Sequence, residues 1–133
     1  MSTPPIIKWV HKMLTHAEEK EWFETYWCID IHGTVSYPDY RKIEPIIDYY
    51  PYAKEVLQLL SERKDIILIM YTSSYPSEIA VYTKQFNNDG IKFNYVNENP
   101  EISVAHGSFG HYTQKLYFNV LFDDKAGFDP ETD

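Results

Sequence analysis

The sequence predicts an α/β fold, a small parallel sheet with helices on both faces in three layers. Three observations predict it. Apolar runs suited to strands alternate with segments of helical period. One run, Ile66-Ile67-Leu68-Ile69-Met70-Tyr71, is continuously apolar, as a strand covered on both faces requires. Two others end in acid: Trp27-Cys28-Ile29-Asp30, and the run from Leu116 to Phe122 followed by Asp123-Asp124. A strand ending in Asp delivers a carboxylate to the carboxyl edge of the sheet, where open α/β sheets bind ligands. Two such strands in one short chain point to a single acidic site, and clustered carboxylates call for a hard cation such as Mg²⁺.

Residues 6–22 set Ile6, Ile7, Val10 and Leu14 at helical spacing between charges, predicting an amphipathic helix docked on the core. Residues 25–31 read as the first strand. Residues 33–50 carry Gly33, Pro38, Pro45 and a Tyr-rich end, and read as an excursion over the top of the sheet. Pro51 reads as the first residue of a helix carrying Ala53, Val56, Leu57 and Leu60 on one face. The run at 66–71 is the second strand. Pro76 to Asn87 reads as a helix stopped by Asn88-Asp89-Gly90. Ile91–Val96 reads as the third strand, 97–113 as loop, and Leu116–Phe122 as the last strand. About four strands are expected.

Length and charge exclude several classes. The chain has 133 residues, one domain's worth, with a 1–24 helical extension ahead of a 25–126 core. A net charge of −8 argues against an extended nucleic-acid track, which would need a basic stripe. The single cysteine, Cys28, excludes an internal disulfide and reads as a small buried apolar residue. No secretory signal and no membrane-length apolar stretch is apparent, so the sequence reads as cytoplasmic. No phosphate-binding Walker loop, dinucleotide fingerprint or serine nucleophile elbow is present.

Asp30-Ile31-His32-Gly33-Thr34-Val35 resembles the first motif of the haloacid dehalogenase superfamily, an apolar strand followed by Asp-x-Asp-Gly-Thr. Thr72 matches the hydroxyl residue of its second motif, Lys115 its lysine, and Asp123-Asp124 its terminal acidic motif. The resemblance covers residues 25–126 in the right order. It implies a three-layer Rossmann-like core with a minimal cap, like the small phosphatases of bacteria and phages.

The resemblance also implies roles. Asp30 would be the nucleophile, forming an aspartyl-phosphate. Mg²⁺ would be held by Asp30, the backbone carbonyl of His32, and Asp123 or Asp124. Thr72, with the amides of Ser73 and Ser74, would meet the phosphoryl oxygens, and Lys115 would neutralise them and keep Asp30 ionised. Gly33 would allow the tight turn and Thr34 would border the substrate. His32 departs from the family pattern, which has its acid–base Asp there. An imidazole, with an ordinary pKa near about 6.5, offers the same proton transfers.

The expected function is Mg²⁺-dependent hydrolysis of a phosphomonoester, either a small molecule or a larger ester admitted by the open site. A lid would come from residues 35–50, from the 97–113 loop or from a partner subunit. The alternatives are a catalytically weak module that binds a phosphorylated ligand and a scaffold that binds a protein through its aromatic surface. A dehalogenase would have no need of Asp123-Asp124. His106 and His111 read as a solvated loop.

Overall fold

A computed structural model describes residues 5–38, 46–102 and 116–132. Helix α1 (Pro5–Glu19) precedes strand β1 (Thr25–Asp30). Helix α2 (Ala53–Glu62), strand β2 (Ile66–Tyr71), helix α3 (Pro76–Asn88) and strand β3 (Tyr95–Val96) follow. Strand β4 (Val120–Phe122) leads into a 3₁₀ turn, Asp124–Ala126. The sheet order is β3-β2-β1-β4 and every pairing is parallel. This is the α/β, Rossmann-like arrangement that the alternating pattern predicts.

β1 is central, aligned with β2 from Thr25↔Ile66 to Asp30↔Tyr71 and with β4 from Trp27↔Val120 to Ile29↔Phe122. Partners in register share a face. Trp27, Ile29, Leu68, Met70 and Phe122 therefore form one surface, and they cluster with Leu57 of α2 and with Tyr82 and Phe86 of α3. Both helices thus lie on the same side. Cys28 and Ile69 point the other way and are equally buried. Burial on both faces is why β1 and β2 lack polar alternation. Each buried Ile or Leu contributes about 1.5–3 kcal/mol relative to exposure. The Trp27 indole N–H, out of reach of water, donates to Thr25 Oγ1 at 2.8 Å.

Four boundaries differ from the sequence reading. α1 stops at Glu19, where Glu21 turns into the left-handed region at φ 57° and the Trp22 amide returns to the Ala17 carbonyl. Pro51 is not the first helical residue. Ala53 N–H donates to the Tyr50 carbonyl at 3.1 Å, and Tyr52 sits at φ 69°, ψ −8°. These are the marks of a type II turn with Pro in its favoured second position, and α2 starts only after it.

The two edge strands are shorter than their apolar runs, for one shared reason. Asn94 N–H donates to the Leu68 carbonyl at 2.8 Å, while its side-chain oxygen accepts from Leu68 N–H at 2.9 Å. Asn119 grips Tyr26 in the same way, at 2.8 and 2.7 Å. Each Asn side chain replaces a stretch of ladder, so pairing begins only after it. Leu116, Tyr117 and Phe118 lie outside β4, as Ile91–Asn94 lie outside β3.

The excursion after β1 is tied down at both limbs. Tyr37 N–H donates to Asp48 O at 2.8 Å, Asp48 N–H to Ser36 Oγ at 2.9 Å, and Tyr50 N–H to Val35 O at 2.9 Å. Residues 39–45 lie outside the described residues. Among the described residues no helix is long and apolar enough to cross a membrane.

Leu68 is fully buried, so losing its side-chain acceptor leaves an amide with neither protein nor water as partner. Asn94→Ala is expected to lower unfolding free energy by about 1–3 kcal/mol in urea titrations. An unchanged midpoint would mean that the side-chain bond adds nothing to the sheet edge.

Candidate active site

Strand order reverses about β1, with β2 and β3 on one side and β4 on the other. The carboxyl ends of β1 and β4 therefore flank the crevice where parallel sheets take ligands. Asp30 is the last residue of β1, and Asp123 and Asp124 directly follow β4. One carboxylate oxygen from each lies within 4.8 Å of the others.

The sequence folds to this point through a tight loop. The amides of Thr34, Val35 and Ser36 all converge on the Ile31 carbonyl, at 3.3, 2.9 and 3.0 Å, and Gly33 N–H donates to Ser36 O at 2.9 Å. Gly33 adopts φ +85°, a conformation costly for a residue with a side chain. A Cβ there would also stand 2.6 Å from Asp124 Oδ2. Glycine is what lets Asp124 come in.

Thr34 joins the two strand ends. Its hydroxyl donates to Asp30 Oδ2 at 3.1 Å and accepts from Asp124 N–H at 3.0 Å. Buried and engaged both ways, it ties the two carboxylate-bearing strand ends together. Asp123 is held by Lys125 N–H, which donates to its Oδ1 at 3.0 Å.

Burial, together with its acidic neighbours, raises the Asp30 pKa from 3.8 to about 7. Burial is the largest cause, followed by the charge of Asp123 and the hydrogen bond and charge of Asp124; the Thr34 hydroxyl opposes them. Three ionised carboxylates in such proximity repel one another, and a divalent cation bound there by oxygen ligands would relieve that repulsion. The donor set fits Mg²⁺, all hard oxygen.

The second-strand segment differs from its expected geometry. Thr72 follows β2 immediately, its N–H donating to Asn97 Oδ1 at 2.8 Å, and Asn97 Nδ2 donates to the Thr72 carbonyl at 2.7 Å. Ser73 and Ser74 are not the helix N-terminus. α3 begins at Pro76, capped by Tyr75, whose N–H donates to Glu78 Oε1 at 2.9 Å. The Ser74 amide instead donates to Thr72 Oγ1 at 3.2 Å, a local side-chain turn that withdraws it from anion binding. Ser73 is exposed. Lys115, like His106 and His111, lies outside the described residues.

The half-buried His32 ring meets α3, its Nε2 3.0 Å from the Tyr82 hydroxyl. Sequence reasoning missed Tyr82 and Asn97. Tyr82 reads as one apolar position of a helix, and the only available signal was that a buried phenol needs a polar partner. Asn97 sits in a loop with nothing to single it out.

No protein-family model and no curated protein matches the chain. Among solved structures, a conserved protein from Bacteroides thetaiotaomicron matches with a TM-score of 0.59 at 20% identity, over 77% of each chain. That likeness concerns the fold.

The sign of the Asp30 shift gives a stability prediction. A carboxyl whose folded pKa exceeds its unfolded one costs nothing below about pH 4. It penalises the fold increasingly as pH rises toward 7, the value to which Asp30 is raised. In cation-free buffer, Asp30→Asn is expected to raise Tm by roughly 3 °C or more at pH 8 and by less than about 1 °C at pH 4. An equal shift at both pH values would contradict an Asp30 carboxyl raised by burial and its acidic neighbours.

Proposed function

We propose that this chain is a Mg²⁺-dependent phosphomonoester hydrolase of the haloacid dehalogenase type, with Asp30 as its nucleophile. The observation that carries the reading is the meeting of Asp30, Asp123 and Asp124 at the β1–β4 crevice. The order of the motif residues along the chain supports it, as does Gly33, whose missing side chain admits Asp124.

An Asp30 carboxyl raised to about 7 is substantially protonated at neutral pH and then a poor nucleophile. Asp30, Asp123, Asp124 and the His32 carbonyl would hold Mg²⁺, which would supply the positive charge that keeps Asp30 ionised and offsets the substrate's negative charge. Asp30 attacks phosphorus, its oxygen forming the new P–O bond as the bond to the leaving oxygen breaks. Thr34 holds the attacking carboxylate through Oδ2, leaving Oδ1 to react. Thr72 donates its hydroxyl hydrogen to a phosphoryl oxygen. His32 gives a proton to the leaving oxygen and then takes one from the water that cleaves the aspartyl-phosphate, so that phosphate leaves and Asp30 is restored.

Turnover of p-nitrophenyl phosphate with and without Mg²⁺, beside Asp30→Asn, tests the reading. Mg²⁺-dependent hydrolysis is expected, reduced by a factor on the order of 1,000 or more in Asp30→Asn. Folded, Mg²⁺-binding protein without turnover would favour a module that only binds phosphorylated ligands. Partner binding that survives loss of Asp30 and Asp123 would favour a scaffold.

A further inference from the structure

Strand β2 ends at Tyr71 and strand β3 at Val96, yet the bonding between them continues past both ends. Asn97 N–H donates to the Met70 carbonyl at 2.8 Å, as the next rung of the ladder would. The Asn97 side chain then supplies the rung after it. Its Oδ1 accepts from Thr72 N–H at 2.8 Å, and its Nδ2 donates to the Thr72 carbonyl at 2.7 Å. One amide thus holds both backbone groups of Thr72. Asn94 and Asn119 also replace ladder bonds, but at the starts of the edge strands, with one side-chain bond each to the strand they grip. Asn97 acts at the opposite, carboxyl edge, and grips a residue that belongs to no strand. It does so with its own backbone at φ 55°, in the left-handed region, which Asn tolerates better than most residues.

The gripped residue stands beside the acidic site. Asp30 and Tyr71 are partners in register, so Thr72 begins one residue past that pair, on a strand spaced about 4.8 Å from β1. Residues 72–75 belong to neither strand nor helix, and Asn97 fixes where they start. The Thr72 hydroxyl is steadied in turn by the Ser74 amide, which donates to Oγ1 at 3.2 Å. A hydroxyl already in place when an anion arrives spares the free energy of ordering it on binding.

We propose that Asn97 is a positioning residue for anion binding: by holding both backbone groups of Thr72, it keeps the Thr72 hydroxyl at the carboxyl edge next to β1 and so sets the affinity for a phosphoryl group there. The contact between Thr72 and a phosphoryl oxygen rests on the phosphatase reading; the clamp itself does not. Asn97 acts only through Thr72, which meets the phosphoryl group and not the leaving group. Its loss therefore falls on binding, and falls equally on esters with good and poor leaving groups.

The test is a double-mutant cycle on the full chain loaded with Mg²⁺, with inorganic phosphate as the probe in calorimetric titrations. Asn97→Gly removes both side-chain bonds and still allows the left-handed backbone. It is expected to weaken phosphate binding about fivefold or more in the wild-type background, and less than about twofold in the Thr72→Val background. Asn97→Asp, which keeps the acceptor for Thr72 N–H and loses the donor, provides a second cycle; its added charge acts in both backgrounds and drops out. In turnover, Asn97→Gly is expected to raise KM about fivefold or more for both p-nitrophenyl phosphate and phenyl phosphate, with kcat changed less than about twofold. Wild-type protein that does not bind phosphate overturns the proposal. So does an Asn97→Gly loss of the same size with and without the Thr72 hydroxyl, which would mark a merely structural role, or a loss confined to one of the two esters. Wild-type protein that binds phosphate and hydrolyses neither ester ends the phosphatase reading instead, and the cycle still decides whether Asn97 acts through Thr72.

Discussion

The Thr34 hydroxyl is a small joint with a large reach. By donating to Asp30 and accepting from the Asp124 amide, it fixes the end of β1 against the end of β4. Gly33 completes the joint from the other side, because a side chain there would collide with the Asp124 carboxylate. The parallel pairing of β1 and β4 brings the strand ends to the same edge. This joint then turns nearness into a crowded anionic site. Without it, Asp123 and Asp124 would be an ordinary acidic turn.

Crowding has a cost that the rest of the molecule must offset. An Asp30 carboxyl raised to about 7, first by burial and then by the charges of Asp123 and Asp124, reports a carboxylate held out of water beside like-charged neighbours. Sites that store unfavourable electrostatics in this way are usually supported by a rigid surround. Here the surround is a central strand buried on both faces, with Trp27, Ile29, Leu68 and Met70 packed against α2 and α3. The three asparagines act at the margins of that frame. Asn94 and Asn119 lock the starts of the edge strands, and Asn97 holds the backbone at Thr72, just beyond the end of β2. The sheet is thus pinned at its edges by side chains that copy the backbone's own hydrogen-bonding groups.

What was legible in the sequence follows from this division of labour. Ile66–Tyr71 could be read to the residue because burial on both faces leaves an uninterrupted apolar signature. Asp30 and Asp123-Asp124 stood out because an acid at the end of such a run has no packing reason to be there. The edge strands are shorter than their apolar runs suggest. Phe118 and Ile91 look like strand residues, but pairing is set by Asn119 and Asn94, whose amides satisfy the ladder through side chains. Pro51 is ambiguous in sequence for a related reason, since its fixed φ suits the second position of a turn as well as the first turn of a helix. Within the site, Thr34 and Ser74 stand out in the sequence as hydroxyl residues, but their hydrogen-bond partners do not, because a hydroxyl's partner is decided by which groups the fold brings to it. Tyr82 lies 50 residues from His32 in sequence, and no local pattern encodes that encounter.

The proposed function requires Asp30, Asp123 and Asp124, brought together by Thr34 and Gly33, to hold one divalent cation. Calorimetric titration of Mg²⁺ into the wild type at pH 8, beside Asp30→Asn and Asp123→Asn, tests it most directly. A single site is expected, weakened about tenfold or more by either substitution. No binding by the wild type, or binding that neither substitution changes, would contradict it.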